Sequence, residues 1–188
     1  LPVIGFRPDI IHCHDWQTAL IPVFLHEMFQ DNPFFRGIRT IMTVHNLKFQ
    51  GVWDIQTMRR FTGLPGHVFT LGRMEFHRDA NMLKGGLVYA DRITTVSNTY
   101  ANEIRMPYYG EGLDGLLNAR SDSLWGIVNG IDYDLYNPAT DKMIAENYDE
   151  TTFEEGKKAC KLAIQRELGM PEDPDVMMIA MITRLTDQ

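Results

Sequence analysis

Cysteine is scarce. The 188-residue chain has two, Cys13 and Cys160, without the paired spacing of a disulfide framework or a zinc module. Two unpatterned thiols read as reduced cysteines of a cytosolic protein. Long apolar runs are missing as well: none approaches the roughly 18 residues of a membrane helix. Positive charge is in deficit, with 18 Lys and Arg against 25 Asp and Glu and a net charge of −7. That argues against nucleic acid or an anionic membrane as a main partner, while leaving room for a local basic pocket. The opening LPVIGFRPD has neither the basic start nor the apolar core of a secretory signal. It begins on Leu instead of Met, from which we expect a processed product or a fragment. There is no internal repeat and no low-complexity tract.

What is present is an ordinary globular composition, 44% hydrophobic and 23% charged, enough for one domain or a little more. RPDIIHCHDW predicts a short strand over 9–13, with Asp15 as the N-cap of a helix containing Pro22. IRTIMTV predicts a second strand over 38–44, followed by His45 and Asn46. Residues 46–75 show no stable period and read as an irregular region with short helical turns. A helix follows with Met82, Leu83, Leu87 and Ala90 on one face; the glycine pair Gly85-Gly86 inside it asks for a packing or ligand reason. RITTVS is a third strand, with Ser97 or Asn98 capping the next helix. A helix from Asp114 and a strand LWGIVNG ending at Asn129-Gly130 come next. Thr151 and Thr152 each stand three residues before a Glu, as in a capping box, and Gly169 suits the C-terminus of that helix. VMMIAMI (176–182) reads as a buried central strand. Alternation of strand and helix indicates an α/β doubly wound arrangement, with 129–149 as the best linker.

Several constellations carry chemistry. His12 and His14, two apart on a strand, share a face and suit a transition metal, but a catalytic zinc needs a third ligand and no second cluster follows. His45 and Asn46 end a strand, where open α/β sheets bind ligands; a lone histidine there is more often structural. Gly110, Gly112 and Gly115 have G-x-G-x-x-G spacing but follow no strand, and tight turns explain them as well. Asp132, Asp134 and Asn137 lack the later Glu of a calcium loop. Arg184, just after an apolar run, suits an anion or a surface ion pair. Trp16, Phe49, Trp53, Phe76, Tyr108, Tyr109 and Tyr136 fall in loops or at element ends, where aromatic faces stack on sugars or simply pack.

Taken together, PDIIHCHDWQTAL, TVHNLKFQG, LKGGLVYADRITTVSNTYANEI, YGEGLDGLLNAR, GIVNGIDYDLYNPATD and ITRLTDQ resemble bacterial glycogen synthases and plastid starch synthases. The resemblance covers essentially the whole chain. It implies a GT-B glycosyltransferase with two Rossmann-like domains. Its reaction would be retaining transfer of glucose from ADP-glucose to the non-reducing end of an α-1,4-glucan, with no metal or other cofactor. It would place 1–125 in the acceptor-side domain and 126–188 in the linker and start of the nucleotide-sugar domain. The location would be the cytoplasm, or the plastid stroma in a photosynthetic eukaryote.

By residue, the resemblance implies that His45 lies near the transferred glucose and Asp15 lines the same cleft. Asn129 would stand by the donor sugar and Arg184 by the leaving diphosphate. Tyr109, Gly110 and Gly112 would lie beside the acceptor. The family's Lys-x-Gly-Gly loop would precede Leu1, and its RLTxQKG motif runs past Gln188. The chain by itself is therefore expected to be inactive. Two other readings compete: a metal-dependent hydrolase on His12 and His14, and a non-catalytic glucan-binding piece.

Overall fold

The structure, a computed structural model, describes residues 1–185; the end of the ITRLTDQ segment, 186–188, lies outside the described residues. The elements are β1 (Ile10–His14), α1 (Asp15–Thr18), α2 (Leu20–Glu27), β2 (Arg39–Val44), β3 (Val52–Asp54), α3 (Ile55–Thr62), β4 (Glu75–Phe76), β5 (Asp79–Asn81), α4 (Met82–Tyr89), β6 (Arg92–Thr95), α5 (Asn98–Glu103), α6 (Asp114–Ala119), β7 (Leu124–Gly126) and α7 (Phe153–Glu167). Two compact units result, Leu1–Asn129 and Gly130–Gln188. No helix among the described residues is long and apolar enough to cross a membrane.

In the first unit the apolar runs pair as parallel strands in the order β1-β2-β6-β7. Helical connections between consecutive strands make parallel pairing possible. Cys13, Met42, Val44 and Ile93 point into a core closed by Ala19, Val23, Leu83 and Leu87. Residues 46–75, expected to be irregular with short helical turns, hold the two-turn α3, but also the strand β3, which was not expected. β3 joins β5 and β4 in a small antiparallel sheet. Strands of two or three residues show too little alternation to be seen as a pattern. Pro22 sits buried near the start of α2, after a break at Ala19.

The glycine pair in α4 has a packing reason. A Cβ on Gly86 would stand 2.8 Å from Ala19 Cβ and 3.0 Å from the Ala19 backbone; one on Gly85 would stand 2.7 Å from Met74 Cγ. Two cations fasten the same helix. Arg120 donates to the carbonyls of Leu87, Val88 and Ala90 at its C-terminal end, where a positive charge is favoured. Lys84 Nζ donates to Leu71 O and Glu75 O.

Glu27 is the buried hub on the α2 side. Its carboxylate accepts from Arg73 (2.5 Å), the Tyr89 hydroxyl (2.6 Å) and His67 Nε2 (2.6 Å). Burial pushes Glu27 up, but the bonds from Tyr89 and His67 and the charge of Arg73 outweigh it and leave the group below its usual value. The Tyr89 hydroxyl is pushed up to about 12, by burial first and by Glu27 second.

The second unit is built on α7. Its N-terminus does not form the expected capping box: Thr152 is the N-cap without a side-chain cap bond. The Asp149 carboxylate instead orders the turn before the helix, accepting from the N–H groups of Thr151 and Thr152 and from both hydroxyls. A carboxylate is the stronger acceptor, so the threonine oxygens turn toward it. At the other end Gly169 is left-handed (φ 65) and bonds back to Arg166, while Met170 bonds to Gln165, as a glycine stop predicts. Gln165 and Lys161 then hold the backbone of 173–176.

Two strand expectations fail. The run 176–182 forms no strand, and Met177, Ile179, Met181 and Ile182 are exposed. A strand needs a partner for its N–H and C=O groups, and the second unit has no other strand among the described residues. The strand predicted over 124–130 ends at Gly126, with one further bond from Ile127 N–H to Thr95 O.

Two stability outcomes follow. Gly86→Ala gains about 1 kcal/mol of helix propensity but forces a methyl group onto backbone at a cost of roughly 1–3 kcal/mol. Urea denaturation should therefore show net destabilisation. Glu27→Gln should cost about 2 kcal/mol at neutral pH by weakening its ion pairs. Glu27 titrates below the ordinary glutamate value when folded, so its contribution is present above that ordinary value and lost as pH falls further. The wild type and Glu27→Gln should converge in urea midpoint over that range.

Candidate functional site

Parallel register sets the site. Cys13 pairs with Met42 and His14 with Thr43, so the chain leaves β1 and β2 side by side at the carboxyl edge of the sheet. Ligands of open α/β sheets bind at that edge. Asp15 is the first residue after β1 and adopts φ 52, a conformation that Asp tolerates better than most residues. It does not cap α1 as expected; the residue at that cap is His14, with no side-chain bond. Instead Asp15 Oδ1 crosses to the next strand end. It accepts from the N–H of His45 at 2.8 Å and of Asn46 at 3.4 Å. The left-handed turn aims the carboxylate sideways, away from the helix amides an N-cap would serve.

The loop after His45 is stitched down residue by residue. Asn46 Oδ1 accepts from Lys48 N–H. Leu47 N–H donates to the Tyr100 hydroxyl at 3.1 Å. Gln50 Nε2 donates to Leu47 O and to Glu111 O, both at 3.1 Å, while its Oε1 accepts from the fully buried Asn81 at 2.5 Å. Asn81 Oδ1 caps α4 through Lys84 N–H. Gly51 has φ 63, and a Cβ there would stand 2.6 Å from the Trp16 ring. Burial pushes the Tyr100 hydroxyl up, and the charges of Asp15 and Glu111 act in the same direction.

Beside this edge lies an open pocket of about 480 Å³ lined by Trp16, Phe49, Gln50, Trp53, Phe76 and Glu111. The Trp16 and Trp53 ring centroids are 5.4 Å apart. The loop 108–112 reaches this wall. Gly112 (φ 76) would clash with Phe76 if it carried a Cβ, and Gly110 would clash with Asp114. Tyr109 is exposed.

The structure thus brings Asp15 and His45 together, and joins the loop of Tyr109, Gly110 and Gly112 to the His45 loop through Gln50. Asn129 is exposed beyond β7 at the end of the first unit, and Arg184 is exposed in the second unit. Sequence reasoning missed Gln50, Asn81, Tyr100 and Glu111. Their one local sign was Gly51, which follows Gln50 and is fixed by its own φ. His12 and His14 do share a face, with centroids 4.2 Å apart, but His12 Nε2 is taken by Thr43 Oγ1 at 2.6 Å. No set of three His, Cys, Asp or Glu side chains poised for a metal occurs among the described residues.

The sequence profile of one family, the starch synthase catalytic domain, matches residues 1–119. The chain belongs to that family. It is 61% identical to the glycogen synthase of Lachnospira eligens over 188 residues, all of this chain and 39% of that protein. It is 49% identical to the glycogen synthase of Thermotoga maritima over 185 residues, 98% of this chain and 38% of that protein. The fold matches the catalytic domain of starch synthase IV from Arabidopsis thaliana, solved with ADP and acarbose. The TM-score is 0.73 and the identity 34%, over 90% of this chain and 34% of that one. The chain therefore spans about 39% of the length of its bacterial relatives. The α/β parallel sheet anticipated from the strand and helix order is the fold of this family, and the metal-dependent hydrolase reading is not favoured.

Asp15→Ala should leave two backbone N–H groups at the strand end without their acceptor and remove a residue suited to positive φ. We expect a loss of roughly 2 kcal/mol. Asp15→Asn keeps an oxygen acceptor and should lose less than half as much in chemical denaturation.

Proposed function

We propose that the protein carrying this chain is a glycogen or starch synthase. It moves glucose from ADP-glucose to the 4-hydroxyl at the non-reducing end of an α-1,4-glucan, retaining configuration and using no metal. The observation that carries the reading is the pairing of Asp15 with the strand end bearing His45, in a chain 61% identical to a glycogen synthase. The ADP and acarbose in the plant structure support a nucleotide donor and a glucan-like acceptor.

In the transfer, the bond from C1 of glucose to the diphosphate oxygen breaks and its electron pair leaves with ADP. A new bond forms from C1 to the acceptor oxygen, which releases its proton. Positive charge gathers at the sugar and negative charge on the leaving group. His45 would hydrogen bond the sugar in this state, and Asp15 would fix the backbone from which His45 projects. Asn129 is assigned to the donor sugar. Arg184 is assigned to the diphosphate, since a guanidinium matches phosphate oxygens in pairs. Tyr109, Gly110 and Gly112 are assigned to the acceptor side, where the aromatic wall offers ring faces to glucose. Residues 1–125 would then be acceptor-side domain, and 126–188 the linker and start of the nucleotide-sugar domain, of a cytoplasmic GT-B enzyme.

The test is transfer of labelled glucose to glycogen from ADP-glucose and from UDP-glucose, using the full-length protein. We expect transfer from ADP-glucose, a fall of at least about 100-fold in kcat for His45→Ala, and none by the 188-residue chain alone. A folded full-length protein that uses neither donor would refute the assignment.

A further inference from the structure

The ring of His45 is held by another ring. Its Nε2 lies 3.0 Å from Nδ1 of His14, with the two planes 30° apart. His14 is itself fixed twice. Thr18 clamps its backbone, the hydroxyl accepting from the His14 N–H and donating to its C=O. The His12 ring packs against it at 4.2 Å between centroids. His12 is pinned in turn by Thr43 Oγ1, which meets the Thr94 hydroxyl at 2.6 Å. A row of side chains thus runs from buried threonines in the middle of the sheet out to His45.

We propose that His14 is a positioning residue for glucosyl transfer: its Nδ1 fixes Nε2 of His45, leaving Nδ1 as the ring nitrogen that His45 offers to substrate. The inference rests on the assignment of His45 to the sugar site. A free imidazole at a strand end would turn about two side-chain torsions; a partner fixed at both backbone and ring removes that freedom before substrate arrives. Small displacements of a reacting or stabilising group cost rate steeply.

The bond also couples the two rings. With both neutral, one donates and the other accepts. With one protonated, the charged ring donates and the bond persists. With both protonated, the facing nitrogens each carry hydrogen and the bond is lost. Ionisable groups that reach the pair include His12 on β1, whose ring packs on His14, and Asp15 on α1, whose carboxylate accepts from the His45 N–H. Burial first, and the neighbouring His14 and His45 second, hold His12 below the ordinary histidine value. Asp15 contributes a negative charge at the same edge.

The experiment uses the full-length protein with ADP-glucose and glycogen. His14→Phe keeps the bulk of a ring and removes the nitrogen. His14→Asn puts an amide near the place of Nδ1 and can donate, or turn and accept. We expect His14→Phe to lower kcat by about 10- to 100-fold, with KM for ADP-glucose changed less than about twofold. His14→Asn should recover most of that loss. The acid limb of its kcat profile should move to lower pH, because its amide oxygen can accept from a protonated His45. Wild-type kcat in His14→Phe overturns the inference, as does a His14→Asn enzyme as slow as a folded His14→Phe. Where His14→Phe does not fold, the profile of His14→Asn decides alone, and an unmoved acid limb overturns it. His45→Ala separates the two claims. If it transfers at the wild-type rate, the site assignment itself fails; if it is inactive while His14→Phe is fully active, only the positioning role fails.

Discussion

One carboxylate organises the first unit. Asp15 stands where β1 ends, in a left-handed turn, and its oxygen takes the first free N–H groups beyond β2. Parallel strands leave such amides unpaired at their carboxyl ends, because the ladder stops there while the chain goes on. Satisfying them from the neighbouring strand ties two loops to one another at the place where ligands of α/β sheets bind. The direction in which His45 leaves the sheet is a consequence of that tie.

The surrounding architecture keeps this edge from shifting. α4 approaches Ala19 as closely as its glycines permit, which fixes the helices that follow β1 against the sheet. Asn81 caps α4 and also holds Gln50, and Gln50 holds the loops of Leu47 and Glu111. A single buried amide pair thus connects a helix start, the loop after His45 and the glycine loop of 108–112. Each buried polar atom in this network has its partner, as low local dielectric demands. The positions are set by packing and hydrogen bonds between whole elements, which holds this edge rigid.

The second unit shows what happens without such ties. Asp149 orders the turn that leads into α7, and Gly169 stands past its finish. The following turn is held by Gln165 and Lys161. The apolar run beyond it has no strand to join among the described residues and lies exposed. Hydrophobicity made it read as a central strand. A strand, however, is a relation between two segments, and composition describes only one.

The sequence by itself determined the parts governed by short-range physics. β-branched runs gave the strands over 39–44 and 92–95, Ser97 capped α5 through Tyr100 N–H, and Gly169 ended α7. Those signals act within about four residues, through backbone torsions and local caps, so one segment is enough to read them. His45 and Asp15 were legible as candidates because polar residues at apolar strand ends are conspicuous. Only the tertiary structure decided that Asp15 serves His45 and not its own helix, a bond across 30 residues. It likewise decided that Gln50 reaches Glu111 across 61 residues, that Arg120 closes α4, and that His14 meets His45. Those partners depend on strand register and helix packing, which pattern along one chain does not carry.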